Sequence, residues 1–281
     1  MYVGGYRALW ASGVIAGLRG AAGTSIGSLF ATIAVLQIPP EELETMVQNL
    51  DTDQLMDNSW FPLDDVVKFF TRLGIYRGKY LEKWCERIIS RYSIANCTFS
   101  ELYRRTGRHL KICVCNETLA EPEYWDHLTQ PDMPIARAIR TSASLPFIYD
   151  PVDHAGSRYV DGGLCDIFPL DTFSGHETTT LGMLILSRHE RKAADLVHRQ
   201  PTTTLLEHAC AVYTCMATTQ FTLRHAHNNW MERTIALQGP GKPQWDMKFT
   251  DKEKLHWTEQ SYAMVQDELD HHRRHGAFRS E

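Results

Sequence analysis

No apolar run in this sequence is long enough to span a bilayer: the longest, residues 26–36, is broken by small and polar side chains. There is no excess of positive charge either. Its 29 lysines and arginines are outnumbered by 34 aspartates and glutamates, and the net charge of −5 gives no reason to expect nucleic acid as a partner. A disulfide framework is also missing. The seven cysteines are odd in number and scattered, which suits reduced thiols in a cytoplasm-like compartment. Cys113 and Cys115 alternate along one strand face, but no second Cys or His pair stands at zinc spacing, so they read as buried thiols. Neither His176-Glu177 nor His189-Glu190 is followed by a histidine three residues beyond its glutamate, so the metalloprotease helix pattern is absent. No metal or cofactor is expected. Met1-Tyr2-Val3-Gly4-Gly5 has neither the basic start nor the apolar core of a secretory signal, and a cytoplasmic location follows as the expectation. With no internal repeat and no Gly-, Ser- or Pro-rich linker, residues 1–281 are expected to form a single domain.

What remains is a chain of ordinary globular composition, 43% apolar and 22% charged, in which helical and extended patterns alternate. A glycine turn at residues 3–7 precedes a helix predicted over 8–18, with Leu9, Val14 and Ile15 inward. Residues 28–36 continue as a helix, and Pro40-Glu41-Glu42-Leu43 opens another with proline and acids in its first turn. Helical spacing recurs over 63–73, 80–89, 134–144, 205–223 and 252–269. A capped helix over 99–106 has Thr98 before it and Gly107 as its stop. Strands are predicted over 110–116, 158–160, 180–186 and 233–237. Trp60-Phe61 is read as core, with lipid contact as the alternative. Alternation of this kind argues for an α/β fold, a mixed or parallel sheet covered by helices.

Gly23-Thr24-Ser25-Ile26-Gly27 fits G-x-S-x-G, the nucleophile elbow, and an apolar run follows it directly. In such an elbow a sharp strand-to-helix turn projects the serine hydroxyl above the sheet. The next helix aims its free N–H groups and positive dipole end at that oxygen. Five residues of loose pattern occur by chance in many proteins, so the motif needs partners. A serine hydroxyl requires a base for its proton and donors for the oxyanion. None of the thirteen histidines stands in a context that marks it as that base; His225-x-His227 and His271-His272 read as exposed surface. Asp161 is more telling. It closes a short strand and is followed by Gly162 and Gly163, so its carboxylate sits on a tight turn that another segment can approach. An ordinary carboxylate is a weak base for serine, and burial would strengthen it.

Taken together and in this order, Gly4-Gly5-Tyr6-Arg7, Gly23-Thr24-Ser25-Ile26-Gly27 and Val160-Asp161-Gly162-Gly163 resemble the motifs of the patatin-like phospholipases, lipid acyl hydrolases with a Ser–Asp dyad. Residues 138–147 are similar to the helix-and-proline segment that precedes the family's aspartate. The resemblance spans residues 3–190, with 191–281 a helical and strand extension of the same domain. It implies a three-layer α/β/α fold with a mostly parallel central sheet. Ser25 would be the nucleophile and Asp161 the proton acceptor. The oxyanion donors would be backbone N–H groups of Gly4, Gly5 and Tyr6, with that of Ile26 added. Arg7 would brace the loop, and Gly23, Gly27, Gly162 and Gly163 would support the two turns. The implied reaction is phospholipase A-type ester hydrolysis through an acyl-enzyme, without cofactor, on a lipid or phospholipid met at a membrane surface.

The chain departs from the family pattern at Val3 and Ala8, where glycines are usual, and in a shortened N-terminal strand region. Spacing before the elbow is tight as well. A helix over residues 8–17 rises about 15 Å, and the five residues left before Gly23 return about 16 Å. The helix is therefore expected to be shortened. Two other functions are open at this point. One is a Ser–His–Asp esterase in which Asp161 orients a later histidine such as His208. The other is a catalytically impaired patatin-like protein that binds lipid.

Overall fold

Strand β3, His109–Asn116, is the support on which β1 (Gly20–Thr24), β4 (Glu121–Trp125) and β7 (Ser157–Asp161) are laid. The computed structural model describes residues 1–55, 73–176, 179–186, 205–226, 230–239 and 250–275. In chain order the helices are α1 Tyr2–Ala11, α2 Ile26–Leu36, α3 Pro40–Gln48, α4 Thr52–Leu55, α5 Lys79–Tyr92, α6 Phe99–Thr106, α7 Ile135–Ser142, α8 Leu205–His225 and α9 Asp251–His275. The other strands are β1 Gly20–Thr24, β2 Gly74–Tyr76, β4 Glu121–Trp125, β5 Phe147–Tyr149, β6 Val152–His154, β7 Ser157–Asp161, β8 Gly182–Leu186 and β9 Thr234–Gln238. The helix expected over 63–73, and Trp60-Phe61 before it, lie outside the described residues.

From Ile112 to Asn116 every residue of β3 is buried, as a strand covered on both faces requires. One edge of β3 pairs antiparallel with β4 over residues 112–116. Its opposite edge is shared by two strands. β1 runs parallel along residues 109–113, and β7 runs antiparallel along 114–116. Each therefore ends against the other, with Thr24 opposite Cys113 and Asp161 opposite Val114. β6 extends the sheet beyond β7, while β2–β5 and β8–β9 form separate parallel pairs. The sheet around β3 is mixed because β4, and the β6–β7 hairpin, follow connections too short for a parallel crossover. α2 lies against β1 and β3, α7 against β3 and β7, and α5 packs on α7. α6 is held by a full capping box between Thr98 and Glu101 and ends at Gly107 in the left-handed region, as its sequence indicates.

The N-terminal segment differs from expectation. Residues 3–7 form no turn; they lie inside α1, which begins at Tyr2 and stops at Ala11. The tight spacing before the elbow explains the shift. Starting the helix early leaves residues 12–19 to return the chain to β1, which a helix over 8–18 would not allow. The glycines serve packing instead. A Cβ on Gly4 would stand 1.9 Å from the Thr258 carbonyl oxygen of α9, and one on Gly5 would stand 2.5 Å from Met183 Sδ on β8. Arg7 ties α1 to its neighbours, 3.0 Å from Glu44 of α3 and 2.8 Å from Glu259 of α9, with its guanidinium over the Tyr262 ring.

Candidate active site

The two strand ends that meet on β3 carry Ser25 and Asp161. Leaving β1, the chain turns at Ser25, whose φ of 52° and ψ of −125° lie outside the ordinary regions for a residue with a Cβ. Such a conformation costs on the order of 1–3 kcal/mol and is sustained by surrounding contacts. Gly23 permits the turn, because a Cβ there would be 2.1 Å from the Gly27 carbonyl oxygen. Thr24 Oγ1 donates to the Asp166 carbonyl at 2.7 Å. Ser25 N–H donates to Ser142 Oγ at 2.8 Å, and that hydroxyl donates in turn to the Cys113 carbonyl at 2.6 Å. Ser142, fully buried at the end of α7, thus pins the elbow to β3.

From the facing strand end, Asp161 projects into the same space. Ser25 Oγ donates to Asp161 Oδ2 at 2.8 Å. Asp161 Oδ1 accepts from Gly163 N–H at 2.8 Å and from the Tyr213 hydroxyl at 3.1 Å. Its backbone N–H donates to the Ser144 carbonyl at 2.9 Å. Burial raises the Asp161 carboxyl to about 6, against the pull of the three hydrogen bonds it accepts. The Tyr213 phenol is pushed well above its ordinary range by burial and by the neighbouring carboxylate, which keeps it a donor. Gly162, next to Asp161, is crossed by β3: a Cβ there would lie 2.4 Å from the Cys113 carbonyl oxygen.

Ser25 and Asp161 are therefore brought together as the motifs implied, with Gly23, Gly162 and Gly163 at the turns. Gly27 is different, since a Cβ there would meet nothing within 4 Å. Gly4, Gly5 and Tyr6 do not form the expected glycine turn. They lie within α1, where Gly5 N–H donates to the Met1 carbonyl at 3.1 Å and Tyr6 is part of the helical ladder. Arg7 braces helices rather than a loop. The first-turn N–H groups of α2, at Ile26 and Gly27, have no acceptor within their own helix and stand directly after the serine. No histidine among the described residues bonds to Asp161 or Ser25, and His208 is exposed on α8. Cys165 Sγ lies 2.8 Å from Cys115 Sγ. Among the described residues no three His, Cys, Asp or Glu side chains are placed to hold a metal ion. Ser142, Ser144 and Tyr213 were not legible as site residues. Ser142 and Ser144 do fall in the 138–147 segment, where four polar side chains, Arg140, Thr141, Ser142 and Ser144, sit amid apolar ones.

A serine on a strained strand-to-helix turn, bonded to a buried carboxylate of raised basicity, has the parts of a serine-nucleophile hydrolase. The chain belongs to the patatin-like phospholipase family, which matches residues 4–174. It is similar to an uncharacterized protein of Acanthamoeba polyphaga mimivirus, 27% identical over 217 residues that cover 77% of this chain and 70% of that one. A probable lipid hydrolase of Invertebrate iridescent virus 6 is 28% identical over 152 residues, 53% of this chain and 51% of the relative. Among solved structures, VipD from Legionella pneumophila superposes with a TM-score of 0.62 at 16% identity, covering 96% of this chain and 64% of VipD. That likeness shows a shared fold.

Proposed function

We propose that this chain hydrolyses the carboxylic esters of lipids, with phospholipase A-type cleavage through an acyl-enzyme at Ser25. The observation that carries the reading is the 2.8 Å hydrogen bond from Ser25 Oγ to the buried Asp161 carboxylate. In the first step Ser25 Oγ bonds to the ester carbonyl carbon while its proton passes to Asp161 Oδ2. Collapse of the tetrahedral intermediate expels the alcohol, which takes that proton from Asp161. Water then attacks the acyl-enzyme, gives a proton to Asp161 and releases the fatty acid as Ser25 recovers its own. A base held at about 6 is ionised at neutral pH yet far more basic than an ordinary aspartate.

The oxyanion falls to the N–H groups of Ile26 and Gly27, assisted by the positive end of α2. Each such donor is worth roughly 2.7–4 kcal/mol of transition-state stabilisation. One feature of the site supports a lipid substrate. Ile26, at the elbow, is 53% exposed, an apolar side chain offered beside the nucleophile. Contact with a membrane surface follows from that substrate class.

The test combines a fluorophosphonate probe with turnover of a short-chain p-nitrophenyl ester and of phosphatidylcholine vesicles. Ser25→Ala and Asp161→Asn should each reduce hydrolysis by more than about a thousand-fold, and Ser25→Ala should abolish labelling. Undiminished labelling or hydrolysis in Ser25→Ala would overturn the assignment.

A further inference from the structure

We propose that Tyr213, delivered by α8, is a positioning residue of this site: its hydroxyl fixes the Asp161 carboxylate so that Oδ2 stays turned to Ser25. The proposal rests on the Ser–Asp reading above and adds a third member to it from a helix beyond the residues 4–174 that match the family.

A carboxylate on a free side chain rotates and presents either oxygen. Here Oδ1 is held from two directions, by Gly163 N–H at 2.8 Å and by the Tyr213 hydroxyl at 3.1 Å, which leaves Oδ2 for Ser25. The phenol is 8% exposed and is carried on a 21-residue helix that packs against the 3-10 turn Gly162–Leu164. Its approach is built into the motif itself. A Cβ on Gly163 would stand 2.1 Å from the Tyr213 hydroxyl and 3.1 Å from Asp161 Oδ1. Gly163 is thus small because the tyrosine hydroxyl occupies the space beside it, whereas Gly162 is small because β3 crosses it.

The remaining groups around Asp161 leave its titration legible. Cys113 and Cys115 face it from β3. Burial pushes the Cys113 thiol up; Cys115 is pushed up by its contact with Cys165 and by burial; both are neutral. Asp166, five residues on, is paired with Arg224 at 3.2 Å. Removing the tyrosine hydroxyl takes away one donor to the ionised carboxylate and raises its pKa.

The experiment compares kcat/KM and the rate of fluorophosphonate labelling from pH 4.5 to 9 in wild type, Tyr213→Phe, Gly163→Ala and the double variant, each confirmed folded by circular dichroism. In Tyr213→Phe the acid limb should move up by about one pH unit, with kcat/KM down about five-fold near pH 6 and approaching ten-fold below pH 5, and KM nearly unchanged. Gly163→Ala should move the limb the same way by displacing the hydroxyl. The double variant should be no worse than Gly163→Ala alone, because the added methyl no longer meets an oxygen. A Tyr213→Phe profile that superimposes on wild type, or losses that multiply in the double variant, overturns the proposal. Ser25→Ala run in parallel separates the two ideas. If it loses labelling while the Tyr213→Phe limb stays put, only the tyrosine's role fails; if it keeps labelling, the Ser–Asp reading fails.

Discussion

Exchanging Asp161 for asparagine should raise the stability of this protein while ending its hydrolysis. The carboxyl sits at about 6 in the folded chain because burial disfavours its charge, against 3.8 when unperturbed. An ionised group held that far above its unfolded value destabilises the fold by about 3 kcal/mol. The sign follows from proton counting. Below about pH 4 the carboxyl is neutral in both states and the cost is absent. Between about 4 and 6 the folded state binds more protons than the unfolded one, so stability falls as pH rises. Above about 6 both states are ionised and the folded state bears the whole cost. Asparagine fits the same contacts: Oδ1 still accepts from Gly163 N–H and the Tyr213 hydroxyl, and Nδ2 replaces Oδ2 as a donor to Ser25 Oγ. Thermal and urea melts of wild type and Asp161→Asn at pH 4, 5.5 and 8 would read the effect. The variant should match wild type at pH 4 and exceed it at pH 8, by about 5 °C for a cost of this size. A stability difference that does not change between pH 4 and 8, or a variant less stable at pH 8, would refute the reasoning.

Ser142→Ala leaves the Ser25 N–H and the Cys113 carbonyl without their shared partner; steady-state kinetics should show kcat down about ten-fold with KM little changed. Arg7→Ala should lower stability by about 1 kcal/mol through loss of partly exposed ion pairs and leave kcat/KM intact. A catalytic loss in that variant, measured on the short-chain ester, would return Arg7 to the oxyanion machinery. Gly4→Ala, with its Cβ driven against the Thr258 carbonyl, should cost about 1–3 kcal/mol in a urea melt, whereas Gly27→Ala, which has open space, should cost far less.

Local chemistry was legible in the sequence and tertiary approach was not. The elbow, the Thr98 cap with its Gly107 stop, and the β-branched run of β3 each depend on neighbours within a few residues, and each appears where the sequence puts it. Gly4-Gly5 looked like a turn because glycine permits turns. The cause here is α9 against Gly4 and β8 against Gly5, both far along the chain, and no local pattern announces that. β4 contains Pro122, which argues against a central strand but is tolerated on an edge. Three-residue β6 is too short to show alternation. Ser142 and Tyr213 lie in helices with ordinary spacing, and their roles exist only once α7 and α8 dock beside the strand ends.

The meeting of β1 and β7 end to end on β3 makes the site a seam rather than a pocket cut into one element. Its two halves are separated by 136 residues of chain and share no segment of their own. Ser25 and Asp161 become neighbours only after both strands have registered on the same edge, so their hydrogen bond certifies the long-range topology as well as the side chains. An opening that lifts β7 alone parts Asp161 from an elbow that stays folded. Inactivation on warming is then expected to run ahead of the melting transition, and a coincident loss of activity and structure would show the seam to be as firm as the core.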